Sequence, residues 1–245
     1  MTGNFQSRLA VGGEKSINFQ PGLIELFPGL NLSKTVMVAG GSCATDAVEE
    51  LMVPSGTEVQ YCFEIQNNGL APLLNVTLTD PLLGLDLTGV NLTGDMVDAD
   101  GVPSAGVLND LSYLDTNGDT IAGTAFYTST AYAVYEDITN TATATGSDLE
   151  YDDPSTALVY VIDIEVDKKV SSDGVNFVDG PIDVKAGDPI SWQILFENVG
   201  TITATLSLTD TLDGQLINVC EDAPSELNPA GTPGDSYTCS IAASD

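Results

Sequence analysis

Three observations predict an all-β chain made of two similar domains. Short runs rich in Val, Ile, Thr and Tyr alternate in polarity, clusters of Gly, Asn, Asp and Pro separate them, and no helical period lasts three turns. Residues 61–84, YCFEIQNNGLAPLLNVTLTDPLLG, also match residues 191–214, SWQILFENVGTITATLSLTDTLDG. Asn67 and Gly69 align with Asn198 and Gly200 at one offset, and Asp80 aligns with Asp210 after a one-residue deletion. Seven or so short strands per copy predict two tandem immunoglobulin-like β-sandwiches of about 100–120 residues each, preceded by an extended N-terminal segment.

In chain order, residues 1–28 belong to neither copy and hold two possible strands, 5–11 and 17–26, the second interrupted by Pro21. The first domain spans 29–148, with strands expected at 58–65, 75–80 and 124–135 and a closing strand in ITNTATATG at 138–146. Residues 149–155 are acidic, contain Pro154 and read as a linker. The second domain spans 156–245, with strands expected at 156–166, 189–198 and 204–210. It runs through PGDSYTCSIAASD to Asp245 without a counterpart of the closing strand. Trp192 falls in an expected core strand, so it reads as core and not as a sugar-stacking platform.

Charge narrows the function classes. Six basic residues stand against 36 acidic ones, for a net charge of -30 with no histidine. Such a surface repels phosphates and anionic lipid, which argues against nucleic acid and membrane-surface partners. No run of 18 apolar residues is present to insert directly into a membrane, and MTGNFQSRLAVGGEKSINF lacks the pattern of a signal peptide. The acidic surface fits a solvated exported protein, or cation binding between clustered carboxylates. Without histidine, Ser-His-Asp and Cys-His catalysis are excluded, and carboxylates are too abundant for any one pair to signal glycoside hydrolysis; an enzyme is not expected.

Cys43 and Cys62, and Cys220 and Cys239, form two pairs with 18 residues inside each, one pair per copy. Equal spacing suggests two local disulfides and an oxidising, extracellular compartment, although the pairs do not occupy equivalent positions in the two copies. Four cysteines allow three connectivities, of which this is the simplest.

The pattern L-x-K-x-V, a strand ending N-x-G, then V-x-L-x-D and a final TNTATATG resembles the Ig-like repeat family found in tandem in large bacterial and archaeal surface proteins. The matching residues are Lys34, Asn67, Gly69, Asp80, Asn140 and Gly146 in the first copy and Lys168, Asn198, Gly200 and Asp210 in the second. The resemblance implies a cell-surface location and a structural or adhesive role, and residues 1–28 have no counterpart in the family.

Several constellations remain as candidates. A sandwich without its last strand exposes an unpaired edge, which an extended segment from another copy can fill with main-chain hydrogen bonds. In TGNFQSRLAVGG, Asn4 aligns with Asn140, and Phe5, Ser7, Leu9 and Val11 share one face, so this is the expected donor strand; residues 17–26 are a second. The expected partners are therefore copies of the chain in a homopolymer, and the rival is an adhesive or stalk module of a longer multi-repeat surface protein. Some Ig-like domains of bacterial surface proteins join a Lys of the first strand to an Asn of the last beside a buried acid, and the resemblance implies Lys34, Asp80 and Asn140 for such an amide cross-link, where burial makes a lysine neutral and an acid protonated. In the second copy Lys168 or Lys169 and Asp210 stand without an Asn, which Asn4 of another copy could supply.

DTNGD spaces Asp115, Asn117 and Asp119 like half an EF-hand loop, but position twelve would be Phe126, so Ca²⁺ is left as a loop site completed by Asp98 and Asp100, as one on Asp115 and Asp119 alone, or as none where these residues only form turns. Sequons stand at Asn31, Asn75 and Asn91.

Overall fold

A computed structural model describes residues 29–97, 108–113, 122–147, 149, 152–212, 215–217, 220 and 222–242. The described residues contain strands, turns and one 3₁₀ turn at Gly89–Asn91, with no α-helix among them. The first unit holds β1 (Asn31–Val38), β2 (Glu50–Pro54), β3 (Thr57–Asn67), β4 (Thr77–Asp80), β5 (Leu85–Thr88), β6 (Thr93–Gly94), β7 (Met96–Val97), β8 (Asp110–Leu111), β9 (Gly123–Thr128), β10 (Tyr132–Val134), β11 (Ile138–Thr145) and β12 (Asp153–Ile162). The second holds β13 (Ile164–Ser171), β14 (Ser191–Asn198), β15 (Ala204–Thr205), β16 (Asp210–Leu212), β17 (Gln215–Ile217), β18 (Glu226–Leu227) and β19 (Ser236–Ala242).

Two sheets close the first unit. One runs β1-β3-β9-β6, with β10 also on β3; the other runs β2-β12-β11-β4-β5. Alternation does the sorting, because successive strand side chains point to opposite faces. In β11, Asn140, Ala142 and Ala144 are buried while Thr139 and Thr141 are exposed. The inward faces join Leu32, Val36, Tyr61, Phe63, Ile65, Leu78, Ala142 and Val159 in one core. Gly146, which ends the NTATATG run, is fixed by packing: a Cβ there would overlap the Leu73 side chain.

The expected linker is corrected. Residues 153–162 form β12, antiparallel to β11 from Ile138↔Val159 to Ala144↔Asp153 and parallel to β2 from Leu158↔Glu50. They complete the first sandwich, and the boundary falls at Asp163, between β12 and β13. Pro154 is tolerated because it lies within the first two residues of its strand, and Ala157, Val159 and Val161 supply an inward face that must be covered. The run expected at 156–166 is thus two strands serving two units. The run at 124–135 also divides, into β9 and β10, and only Ala204–Thr205 and Asp210 of the run at 204–210 are strand.

In the second unit, β13-β14-β19 form one sheet and the hairpins β15-β18 and β16-β17 lie apart from it. Its described core is Ile194, Phe196 and Leu227, with Leu206, Leu208, Tyr237 and Ile241 packed around it. Among the described residues no strand stands where β11 and β12 stand in the first unit. Both N-x-G turns are clasped alike: Asn67 Nδ2 donates to the Ala71 carbonyl at 2.9 Å and Gly69 N–H to Asn67 Oδ1 at 3.1 Å. Asn198 Nδ2 donates to the Ile202 carbonyl at 2.7 Å and Gly200 N–H to Asn198 Oδ1 at 3.0 Å. Each Asn is buried, and each side chain replaces backbone pairing that the turn interrupts.

Candidate functional site: a buried Lys–Asp–Asn cluster

Three polar residues occupy inward positions that alternation reserves for apolar ones. Lys34 is in phase with Leu32 and Val36 on β1, Asp80 with Leu78 on β4, and Asn140 with Ala142 and Ala144 on β11. β1 belongs to one sheet, and the adjacent β4 and β11 belong to the other, so the three side chains meet across the sandwich.

Lys34 Nζ lies 2.7 Å from Asp80 Oδ2, with both side chains 0 % exposed. Asn140 Nδ2 donates to the same oxygen at 3.1 Å. The lysine nitrogen sits 4.9 Å from the Tyr61 ring centroid and 5.4 Å from that of Phe63. Burial drives its pKa down from 10.5 to about 8, against the opposing pull of the Asp80 hydrogen bond and charge. A substantial neutral fraction at mildly alkaline pH makes the amine a nucleophile, which a surface lysine is not.

Two buried groups in this site make no hydrogen bond of good geometry, the Tyr61 hydroxyl and Asn140 Oδ1. The Asn140 side chain still lies close enough to act on the tyrosine as a weak hydrogen-bond partner, which opposes the effect of burial. Burial raises the Tyr61 hydroxyl to about 12, so it remains a proton donor throughout the physiological range. Tyr61 is the site residue that the motif comparison missed. Its signal was available in the sequence, because it is in phase with Phe63 and Ile65 and is therefore inward-facing.

The second copy repeats the first half of the cluster. Lys34 stands opposite Phe63 and Lys168 opposite Ile194, at the same place relative to Asn67 and Asn198. Lys168 Nζ is 2.6 Å from Asp210 Oδ2 and 5.1 Å from the Trp192 ring, which takes the place of Tyr61. Trp192 is half-buried, not core as expected. Side-chain exposures here are 39 % and 19 %. Lys169 points away and pairs with Asp167 at 2.7 Å.

Cys43–Cys62 and Cys220–Cys239 are disulfides, with Cα separations of 5.7 and 5.6 Å. Asn31, Asn75 and Asn91 are all exposed. The donor-strand residues Asn4, Phe5, Ser7, Leu9 and Val11 and the calcium candidates Asp98, Asp100, Asp115, Asn117 and Asp119 lie outside the described residues. Among the described residues no group of three or more Cys, Asp or Glu is placed to hold a metal ion, and no helix is long and apolar enough to cross a membrane.

No family model matches the chain, and no curated protein matches it. Among solved structures it is similar to the C-terminal domain of the Streptococcus agalactiae AgI/II polypeptide BspA, at 14 % identity and a TM-score of 0.35, over 67 % of this chain and 60 % of that one. A second structure, described as BspA_C_mut, gives 11 % identity and a TM-score of 0.35, over 71 % and 63 %. The chain thus spans about three fifths of the length of each.

Proposed function

We propose that the chain is a structural subunit of an extracellular filament or surface layer, polymerising head to tail as the N-terminal segment of one copy completes the second unit of the next. The observation that carries this reading is a contrast between equivalent positions. Leu32, opposite Ile65, is 6 % exposed, whereas Val166, opposite Phe196, is 59 % exposed. Lys34 and Lys168 differ in the same sense.

What covers β1 in the first unit is β12, whose Asp153 and Ser155 side chains accept from the Leu32 and Lys34 N–H groups at 2.6 and 2.9 Å. β12 immediately precedes the lysine strand of the second copy, so one repeat is closed by the strand leading into the next. The sequence offers the same order ahead of the first copy: Asn140 precedes Lys168 by 28 residues, and Asn4 precedes Lys34 by 30. By sequence order, then, residues 1–28 stand where the run leading into the second copy stands, and we read them as the segment that covers Val166 and Lys168 of another copy. A contact of this kind joins two different surfaces and propagates an open fibre. Two disulfides support an oxidising extracellular setting.

The same spacing suits a second reading, a stalk or adhesive module in which further repeats of one long chain close each other in series. Negative-stain imaging separates the two. Filaments from the full chain that vanish when residues 1–28 are deleted, and that are capped when a peptide of residues 1–28 is added, are the expected result. Monomers with and without that segment overturn polymerisation and leave the stalk.

A further inference from the structure

Given that copies polymerise through residues 1–28, we propose that residues 20–26 of one copy run along the β13 edge of another as β12 runs along β1, with Gln20 in the place of Asp153. What calls for such a strand is an edge that is capped in one unit and bare in the other. An antiparallel strand turns alternate N–H groups away from its neighbour. On β1 these belong to Leu32, Lys34 and Val36, and on β13 to Val166, Lys168 and Val170, the residues at equivalent register. The third is used alike in both: Val36 N–H donates to the Val48 carbonyl at 2.7 Å and Val170 N–H to the Val178 carbonyl at 2.9 Å. The first two differ. Asp153 and Ser155 cap Leu32 and Lys34, whereas among the described residues nothing accepts from the Val166 or Lys168 N–H. Bare N–H groups along a strand edge are a template for another strand.

The N-terminal segment repeats the β12 pattern. In β12, Asp153 and Ser155 flank Pro154, and the same phase continues through the buried Ala157 and Val159. Pro154 precedes Lys168 by 14 residues and Pro21 precedes Lys34 by 13, so the two prolines match after a one-residue deletion. In phase with one another around and after Pro21 stand Gln20, Gly22, Ile24 and Leu26. The Gln20 amide supplies an acceptor for the Val166 N–H where Asp153 supplies a carboxylate to Leu32. Gly22, without a side chain, lets its backbone approach the Lys168 N–H. Ile24 and Leu26 take the places of Ala157 and Val159, and their larger side chains suit a unit whose described core is only Ile194, Phe196 and Leu227. A proline fits a strand held at its start by side chains, because no ladder bond is asked of its nitrogen.

Charge favours the same pairing. Residues 1–28 hold two basic and two acidic residues, Arg8, Lys15, Glu14 and Glu25, so the other four basic and 34 acidic residues account for the whole charge of -30. Two such bodies repel each other, and a neutral segment joins them without adding to that repulsion.

Full-length chains carrying single cysteines test the register, since the native cysteines are all paired. Gln20→Cys chains mixed with Val166→Cys chains under mild oxidation should give a disulfide-linked pair, mapped by fragmentation, in at least tenfold excess over a mixture of Ser7→Cys with Val166→Cys. Placed on the Gln20→Cys chain, Ile24→Asp or Leu26→Asp should reduce the link at least tenfold, while Glu25→Lys, on the other face, should leave it. Coupling of Val166→Cys to Ser7→Cys in preference to Gln20→Cys overturns this assignment and leaves polymerisation standing. Coupling that is indifferent to Ile24→Asp and Leu26→Asp also overturns it. Chains that couple at neither position and form no filaments overturn both.

Discussion

The Lys34–Asp80 and Lys168–Asp210 pairs have nearly the same length and register and an aromatic ring at the same place, yet one is sealed and the other is open to solvent. In the first pair burial competes with Coulomb attraction and brings the lysine down to about 8. The open pair sits in a high effective dielectric, where such pairs contribute roughly 0–1 kcal/mol. What separates them is coverage by β11 and β12, which stand on the first unit and have no described counterpart on the second. The same local sequence thus yields a sealed ion pair or a solvated surface pair according to what lies over it.

The largest effect should come from removing the buried carboxylate. Asp80→Ala leaves the Lys34 charge sealed in the core without its partner and is expected to lower the stability of the first unit by about 3–5 kcal/mol. Guanidinium denaturation that shows a loss under about 1 kcal/mol would mean the pair is not sealed. Next, a charge can be placed at the two equivalent apolar positions. Leu32→Lys should cost roughly 4 kcal/mol by burying an unpaired cation, while Val166→Lys should change stability by less than about 0.5 kcal/mol and yet abolish filaments. Equal thermal losses for both would show that Val166 is already covered.

The pH dependence follows in size. Lys34 has a folded pKa below its unfolded value of about 10.5. Between those values the unfolded state binds more protons, so stability should rise with pH from about 8, by roughly 1–3 kcal/mol. Tyr61, raised to about 12, acts in the opposite sense above pH 10, where the unfolded tyrosine ionises first. The rise is therefore confined to pH 8–10, and Lys34→Met, which has no amine to titrate, should lack it. Melting curves across that window decide the point. Smallest of all, Lys168→Ala in the unassembled chain should change stability by less than about 1 kcal/mol in a denaturant titration.

Much of this was legible in the residues. Alternation located β3, β4, β11 and β14, and the matched Asn67–Gly69 and Asn198–Gly200 pairs marked two turns that proved to be built alike. Lys34, Asp80 and Asn140 could be named as a set because they match the pattern of the Ig-like repeats that the chain resembles, and the structure shows that each interrupts an inward apolar alternation. The sequence misled at 149–155, where acidity and Pro154 suggested a linker, because composition reports solvation of one face and does not reveal a partner strand. Trp192 misled for the complementary reason: its strand pattern asks for a cover, and the described residues do not supply one.

Period-two patterning, turn residues and cysteine spacing are local properties, set by steric and hydrogen-bonding preferences a few residues long, and the sequence by itself determined them. Which of two nearly identical lysines is buried was decided only by tertiary structure. Burial depends on strands that lie far along the chain from Lys34, and the desolvation they impose is what drives the lysine's pKa down beside Asp80.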